Sequence, residues 1–181
     1  MAIKTAHLLD AAATQLARRP NSTLAQIAEA ADVSRTTLFY RFSTRDELVD
    51  ALAVDTLDVL RFTLMSLSWN VDDVDRTLRA VVTALMPIAE RMQVVLRESP
   101  SNARPDMNES WEYAMAPLTT YLSQRQKSGQ LRKDLPLTWL VESLTYLMFA
   151  AWDSVMTDSL TPELAAQFVS RTWLNGTVTV E

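Results

Sequence analysis

The sequence predicts an all-α protein, and three observations carry that reading. Almost nothing in it alternates with a period of two. Apolar residues recur instead at spacings of three and four, the pattern of helices that bury one face. Helix start signals punctuate the apolar runs: Thr23 is followed three residues on by Gln26 and Thr44 by Glu47, two capping boxes, and Ser34 and Thr161 are good N-cap residues.

These marks divide the chain in order. The first helix is expected over 4–18, through LLDAAATQLARR. Thr23 caps a second over 23–31, with Leu24, Ile27, Ala28 and Ala31 on one face. The chain breaks at Ala31-Asp32-Val33 and restarts at Ser34, giving a helix over 34–41 with Leu38, Phe39 and Phe42 read as core. The Thr44–Glu47 pair opens a long helix over 45–67, and the next, over 72–97, should be kinked or interrupted by Pro87. ESPSNARPD, residues 98–106, reads as a loop before a helix over 107–128. Pro136 stands near the start of a helix over 136–157, and Pro162, behind the Thr161 cap, opens the last over 162–175. Val178 to Val180 is the only strand-like stretch. Short helices fill the first part, 1–48, and longer ones the second, 49–181.

Composition excludes several function classes. No cysteine is present, which removes disulfides, thiolate metal sites and thiol nucleophiles together. The single histidine, His7, cannot build a two-histidine metal site and reads as a solvated surface residue. Two glycines, Gly129 and Gly176, are too few and too far apart for a phosphate-cradling loop. Asp72 and Asp73 are adjacent and point about 100° apart on a helix, so they make no general acid–base pair. No enzyme activity, metal or cofactor is expected. No apolar run approaches the roughly 18 residues of a membrane span, and the start lacks a signal-peptide cleavage site, so no membrane association is expected and the protein reads as cytoplasmic.

Charge is uneven. The chain carries a net −5, yet residues 1–50 hold six Lys/Arg against six Asp/Glu, while residues 51–181 hold eleven against sixteen. Within the balanced part, Val33 to Arg45 gathers Arg35, Arg41 and Arg45 with no carboxylate between. Two short helices crossing closely on small alanines, with a basic second helix, have the geometry of a helix-turn-helix, whose second helix enters the major groove by its N-terminal residues. Arg35, Thr36 and Tyr40 are then expected to face base edges. Thr23, Thr37, Arg41 and Arg45 would hold phosphates, and Ser34 caps the reading helix among them. If Arg45→Ala left the salt dependence of duplex binding unchanged, the phosphate role would be wrong, because each lost contact flattens the slope by about one.

LLDAAATQLARR, TLAQIAEAADVS, TTLFYRF and STRDELVDAL, with their spacing, resemble the TetR family of transcriptional regulators over residues 8–52. Beyond that the likeness is architectural, apart from GQLRKDLP ahead of a long helix. Two positions depart from the family pattern. The turn glycine is Asp32, a residue that tolerates the left-handed conformation. The tyrosine of TLY is Phe39, which loses a hydroxyl that reaches phosphate in relatives and leaves Arg41 to compensate.

The resemblance implies an N-terminal DNA-binding domain, a C-terminal helical bundle for ligand binding and dimerisation, and a homodimer that reads palindromic double-stranded DNA and represses transcription in response to a small-molecule effector. For the dimer, the last two helices offer stripes: Leu144, Met148, Ala151 and Val155 on one, Phe168, Val169 and Trp173 on the other. A helix apolar over most of its circumference needs covering on two sides. That both stripes are internal core stays open. For the effector, Met86, Glu90, Trp111, Met115, Tyr146 and Phe149 suggest an apolar pocket with polar anchors around the Pro-interrupted helix. Taken singly, each of its methionines reads as ordinary core. The alternative function is a helical ligand-binding or protein-interaction domain that no longer uses its helix-turn-helix.

Overall fold

The computed structural model describes residues 5–98 and 105–178. Its helices are α1 (Thr5–Arg18), α2 (Leu24–Ala30), α3 (Arg35–Arg41), α4 (Arg45–Ser66), α5 (Val74–Leu85), α6 (Ala89–Glu98), α7 (Pro105–Ser128), α8 (Leu137–Met156) and α9 (Pro162–Thr177). No strand forms among the described residues; Leu131 and Val178 make one antiparallel bridge, while Thr179 and Val180 lie outside them, as does most of the expected loop at 98–106.

Local chemistry sets the ends of these helices. Thr23 Oγ1 accepts from the Gln26 N–H while Gln26 reaches back to the Thr23 N–H, the full capping box. At α4 the box is offset: Thr44 Oγ1 accepts from the Glu47 N–H at 3.1 Å, but the Glu47 carboxylate takes the N–H of Ser43 at 2.7 Å. Asp73 and Thr161 cap α5 and α9. Pro87 does interrupt its helix: Met86–Ile88 tightens into a 3-10 turn between α5 and α6, as a residue without an N–H and with a clashing ring requires. After α2, Asp32 stands at φ 53° and lets the Val33 N–H reach Ala28 O at 3.0 Å. Gly129, at φ 86°, closes α7 in the same way, through Gln130 N–H to Arg125 O at 3.0 Å.

The chain divides into two compact units, Met1–Val59 with Glu90–Trp111, and Leu60–Ala89 with Glu112–Glu181. In the first, α1, α2, α3 and the start of α4 share one core, to which Leu8, Leu16, Ile27, Leu38, Leu48 and Val94 belong. Val94 comes from α6, so that helix is part of this core. It is also tied by charge. Arg91, only 8% exposed, donates through Nε and Nη2 to Asp10 of α1 at 3.0 and 2.7 Å and through Nη1 to Asp55 of α4. Burial alone would lower the Arg91 pKa; the two carboxylates outweigh it and hold the guanidinium above its usual range. Thr14 Oγ1 donates to Glu90 at 2.6 Å and Arg97 donates to Leu16 O at 2.8 Å.

Arg91→Ala is expected to destabilise the first unit by about 2–3 kcal/mol, below the full cost of breaking a buried pair because Asp10 and Asp55 remain open to water. Arg91→Met keeps the stem's packing and should cost less. Urea midpoints at constant slope measure both.

In the second unit α9 is the central element. It packs on α5 and α8: Ser170 Oγ donates to Asp75 at 2.8 Å, and the buried Trp173 donates Nε1–H to Leu140 O at 3.2 Å and Ser143 Oγ at 3.0 Å. Tyr121 of α7 stacks at 5.1 Å on Trp69 and donates its hydroxyl to Asn70 O at 2.8 Å.

This packing corrects the expected dimer stripes. Leu144, Met148 and Ala151 of α8 and Val169 and Trp173 of α9 are buried within the subunit, and Val155 is half-buried. Only Phe168, 48% exposed, faces outward. The most apolar face of each helix is spent on the subunit's own core. A second apolar stripe, shifted by one position and so by about 100° on α8, stays uncovered: Trp139, Tyr146 and Ala150 exposed, Leu147 half-buried, with Leu164, Phe168 and Thr172 exposed on α9.

Candidate nucleic-acid interface

The interface candidate is built on α3, a helix of two turns. Its N-cap, Ser34, accepts from the Thr37 N–H at 3.1 Å, and the two hydroxyls share a hydrogen bond of 2.7 Å. Leu38 points into the module core with no exposed surface, and Phe42 closes the inner face. Two inward positions four apart leave the rest of so short a helix to solvent. Arg35, Thr36 and Tyr40 are exposed, Tyr40 at 92%, and among the described residues no hydrogen bond or ion pair engages Arg35.

Phe39 corrects the expectation that it is core: it is 47% exposed. Adjacent helical positions point about 100° apart, so Leu38 and Phe39 cannot both face inward. The outer surface of α3 thus presents two basic, one hydroxyl and two aromatic side chains.

The expected phosphate-holding residues are differently engaged. Thr23 is exposed but its hydroxyl serves the α2 cap; Thr37 is half-buried with its hydroxyl on Ser34. Arg41 is exposed and donates to Thr5 Oγ1 at the start of α1. Arg45, first residue of α4, donates to the Pro20 carbonyl at 2.8 Å and to Glu98 Oε2 at 2.9 Å. Sequence reasoning missed Glu98, and no local spacing could have found it, since it lies 53 residues from Arg45.

The expected effector residues fall in both units. Glu90 and Trp111 belong to the first, where the Glu90 carboxylate is engaged by Thr14. Met86, Met115, Tyr146 and Phe149 belong to the second. There Met115 is buried, Met86 and Phe149 are half-buried, and Tyr146, 71% exposed, stands on the outer stripe of α8 with its ring edge-on to Phe149. Phe149 in turn lies 5.1 Å from Trp152, whose buried Nε1–H has no hydrogen-bond partner among the described residues. No group of three or more metal-ligating side chains occurs among the described residues, and none of their helices is long and apolar enough to cross a membrane.

The model of a family described as bacterial regulatory proteins, tetR family, matches residues 8–52, which cover most of α1, all of α2 and α3 and the first residues of α4. Over this N-terminal segment the chain is similar to the TetR family. The rest follows the TetR-like fold. The regulator LfrR from Mycobacterium smegmatis, solved in complex with proflavine, superposes with a TM-score of 0.82 at 23% identity, covering 97% of each chain. A TetR family transcription regulator from Marinobacter aquaeolei gives 0.70 at 14% identity over 96% of this chain and 94% of that one. The fatty acid degradation regulator FadR from Bacillus halodurans gives 0.65 at 16% identity over 96% and 99%. No curated protein matches the chain. At these identities the structures share the TetR-like fold with this chain; its residues must argue the rest.

Proposed function

We propose that the protein is a DNA-binding transcriptional regulator that acts as a homodimer, releases or gains its operator in response to a small molecule, and works as a repressor. Residues 1–48 carry the DNA-reading helices in this account, and the sensing and dimerising surfaces lie within 49–181, of which 49–59 and 90–111 pack into the first unit. The observation that carries it is the outer face of α3 inside a TetR-family module: Arg35, Thr36 and Tyr40 stand exposed at and beyond the N-terminal end of a helix whose inner face is fixed by Leu38 and Phe42. Arg can fork onto guanine O6 and N7, and Thr can bond a base edge or touch a thymine methyl. Arg41 and Arg45 stand near with charge for phosphates.

Selection of bound duplexes from a random pool tests this reading. A palindromic site is expected, with half-sites about one helical turn or a multiple of it apart, because two copies of one small reader are related by a two-fold axis. Enrichment of nothing at low ionic strength favours the other reading, a helical binding domain with an idle helix-turn-helix.

The dimer is proposed on the uncovered stripes of α8 and α9, which flank a shallow groove lined by Leu147, Ala150, Phe168, Val169 and Thr172. An isologous four-helix contact would cover Trp139, Tyr146, Leu164 and Phe168 together. Phe168→Glu is expected to shift the protein from dimer to monomer at micromolar concentration in light scattering and leave helix content intact, since Phe168 supports no core. A monomeric wild type would remove the dimer from the account.

For the effector we propose a site at Phe149 and Trp152 of the second unit, whose rings lie 5.1 Å apart. A buried donor without a partner costs free energy that a ligand acceptor recovers, and the Trp152 N–H is such a donor. LfrR was solved with proflavine, which makes proflavine the first compound to titrate here, read by quenching of tryptophan emission.

A further inference from the structure

Of the basic side chains at the proposed DNA surface, Arg45 has an acidic partner in place. Its Nη2 donates to Glu98 Oε2 at 2.9 Å and to the Pro20 carbonyl at 2.8 Å. The other Glu98 oxygen accepts from Arg97 Nε at 3.1 Å, so the carboxylate is held by two arginines. Glu98 is 17% exposed and Arg45 30%. The pair is therefore sheltered enough to be ordered and open enough for Arg45 to be reached from solvent.

The contact is delivered by the fold of the first unit, not by a chance meeting of long surface side chains. Glu98 ends α6, and α6 is seated by Val94 in the core, by Arg91 on Asp10 and Asp55, by Glu90 on Thr14 and by Arg97 on Leu16 O. A carboxylate and a DNA phosphate take the same kind of charged N–H donor, and at Arg45 the Nη2 edge is the one turned to Glu98. Both cannot take the donor that now faces Glu98.

We propose that Glu98 is a built-in competitor of DNA phosphate for Arg45, holding the affinity of the module for duplex below what its arginines would otherwise provide. The proposal rests on the DNA-binding reading above. Its physical content is an exchange: on binding, Arg45 leaves the Glu98 carboxylate for a phosphate oxygen, and the carboxylate stays with Arg97 or turns to water. Whatever seats α6 more or less firmly then tunes Arg45.

The test is a double-mutant cycle on binding to a duplex of about 30 base pairs at low ionic strength; the operator is not needed, because a phosphate contact is independent of sequence. Glu98→Gln is expected to tighten binding about fivefold. In the Arg45→Ala background the same change should do almost nothing. Glu98→Asp keeps the charge beside the DNA while shortening its reach to Arg45, and should recover part of the gain. Asp46→Asn removes a charge at the same helix start without touching Arg45 and sets the size of the general field effect.

Equal tightening by Glu98→Gln with and without Arg45 overturns the proposal, since the effect would then be field alone; no tightening also overturns it. Thermal unfolding of each free variant checks that it is folded, and the Glu98→Asp arm decides if Glu98→Gln is not. Wild-type protein that ignores duplex at low ionic strength fails the DNA-binding reading itself, an outcome distinct from binding without coupling.

Discussion

Replacing Arg35 with alanine lowers affinity for the selected operator by about thirtyfold or more and leaves binding to scrambled duplex within a few-fold of wild type. Arg35 opens α3, is exposed, and is engaged by no partner among the described residues. A bidentate contact to guanine is worth about 1–3 kcal/mol of discrimination, and a symmetric dimer makes it twice, so the two losses add to about 2–6 kcal/mol. The salt slope should hold nearly steady, because no phosphate contact is removed. Fluorescence anisotropy on operator and scrambled duplex at several salt concentrations separates the outcomes. An equal loss on both duplexes would make Arg35 a phosphate contact, and no loss on either would sink the base-reading role.

Trp173→Ala is expected to destabilise the second unit by about 3–5 kcal/mol, the cost of emptying a buried aromatic site. Trp173 is 2% exposed and joins α9 to α8 through hydrogen bonds to Leu140 O and Ser143 Oγ. Trp173→Phe keeps most of the volume and loses chiefly the two hydrogen bonds, for about 1 kcal/mol. The stability difference between wild type and Trp173→Ala should be the same at low and high protein concentration, since the side chain packs inside one subunit. A difference that grows with concentration in urea titrations would return Trp173 to a subunit interface.

The ends of the helices were legible because capping is local chemistry. Thr23 and Gln26 meet across three residues, Ser34 holds the Thr37 N–H, and Thr161 does the same for its helix, whereas Asp73, expected inside a helix, turned out to be the cap of α5. Asp32 was legible too: with no glycine at the turn, a residue tolerant of positive φ was needed, and it takes φ 53°. Asp158 does the same after α8, at φ 56°. Pro87 announced an interruption through ring geometry alone, and the structure shows it as a 3-10 turn.

Faces were harder to read than ends. On α8 two apolar stripes differ by one position, and periodicity identifies both without saying which is spent inside. Packing of α9 put Leu144, Met148 and Ala151 inward and left Trp139, Tyr146 and Ala150 outside. On α3, Leu38 and Phe39 are equally apolar, and only the crossing with α1 and α2 chose Leu38.

The sequence by itself determined the all-α class, the helix-turn-helix spacing over 8–52 and the cluster of arginines, because each depends on residues within a few positions of one another. Only the tertiary structure decided that α6 joins the core of the first unit, that Arg91 bridges Asp10 and Asp55, and that Arg45 meets Glu98. Those pairs lie 36 to 81 residues apart. At such separations no local preference selects a partner; the burial of a shared core does, and the charges meet where that core brings them.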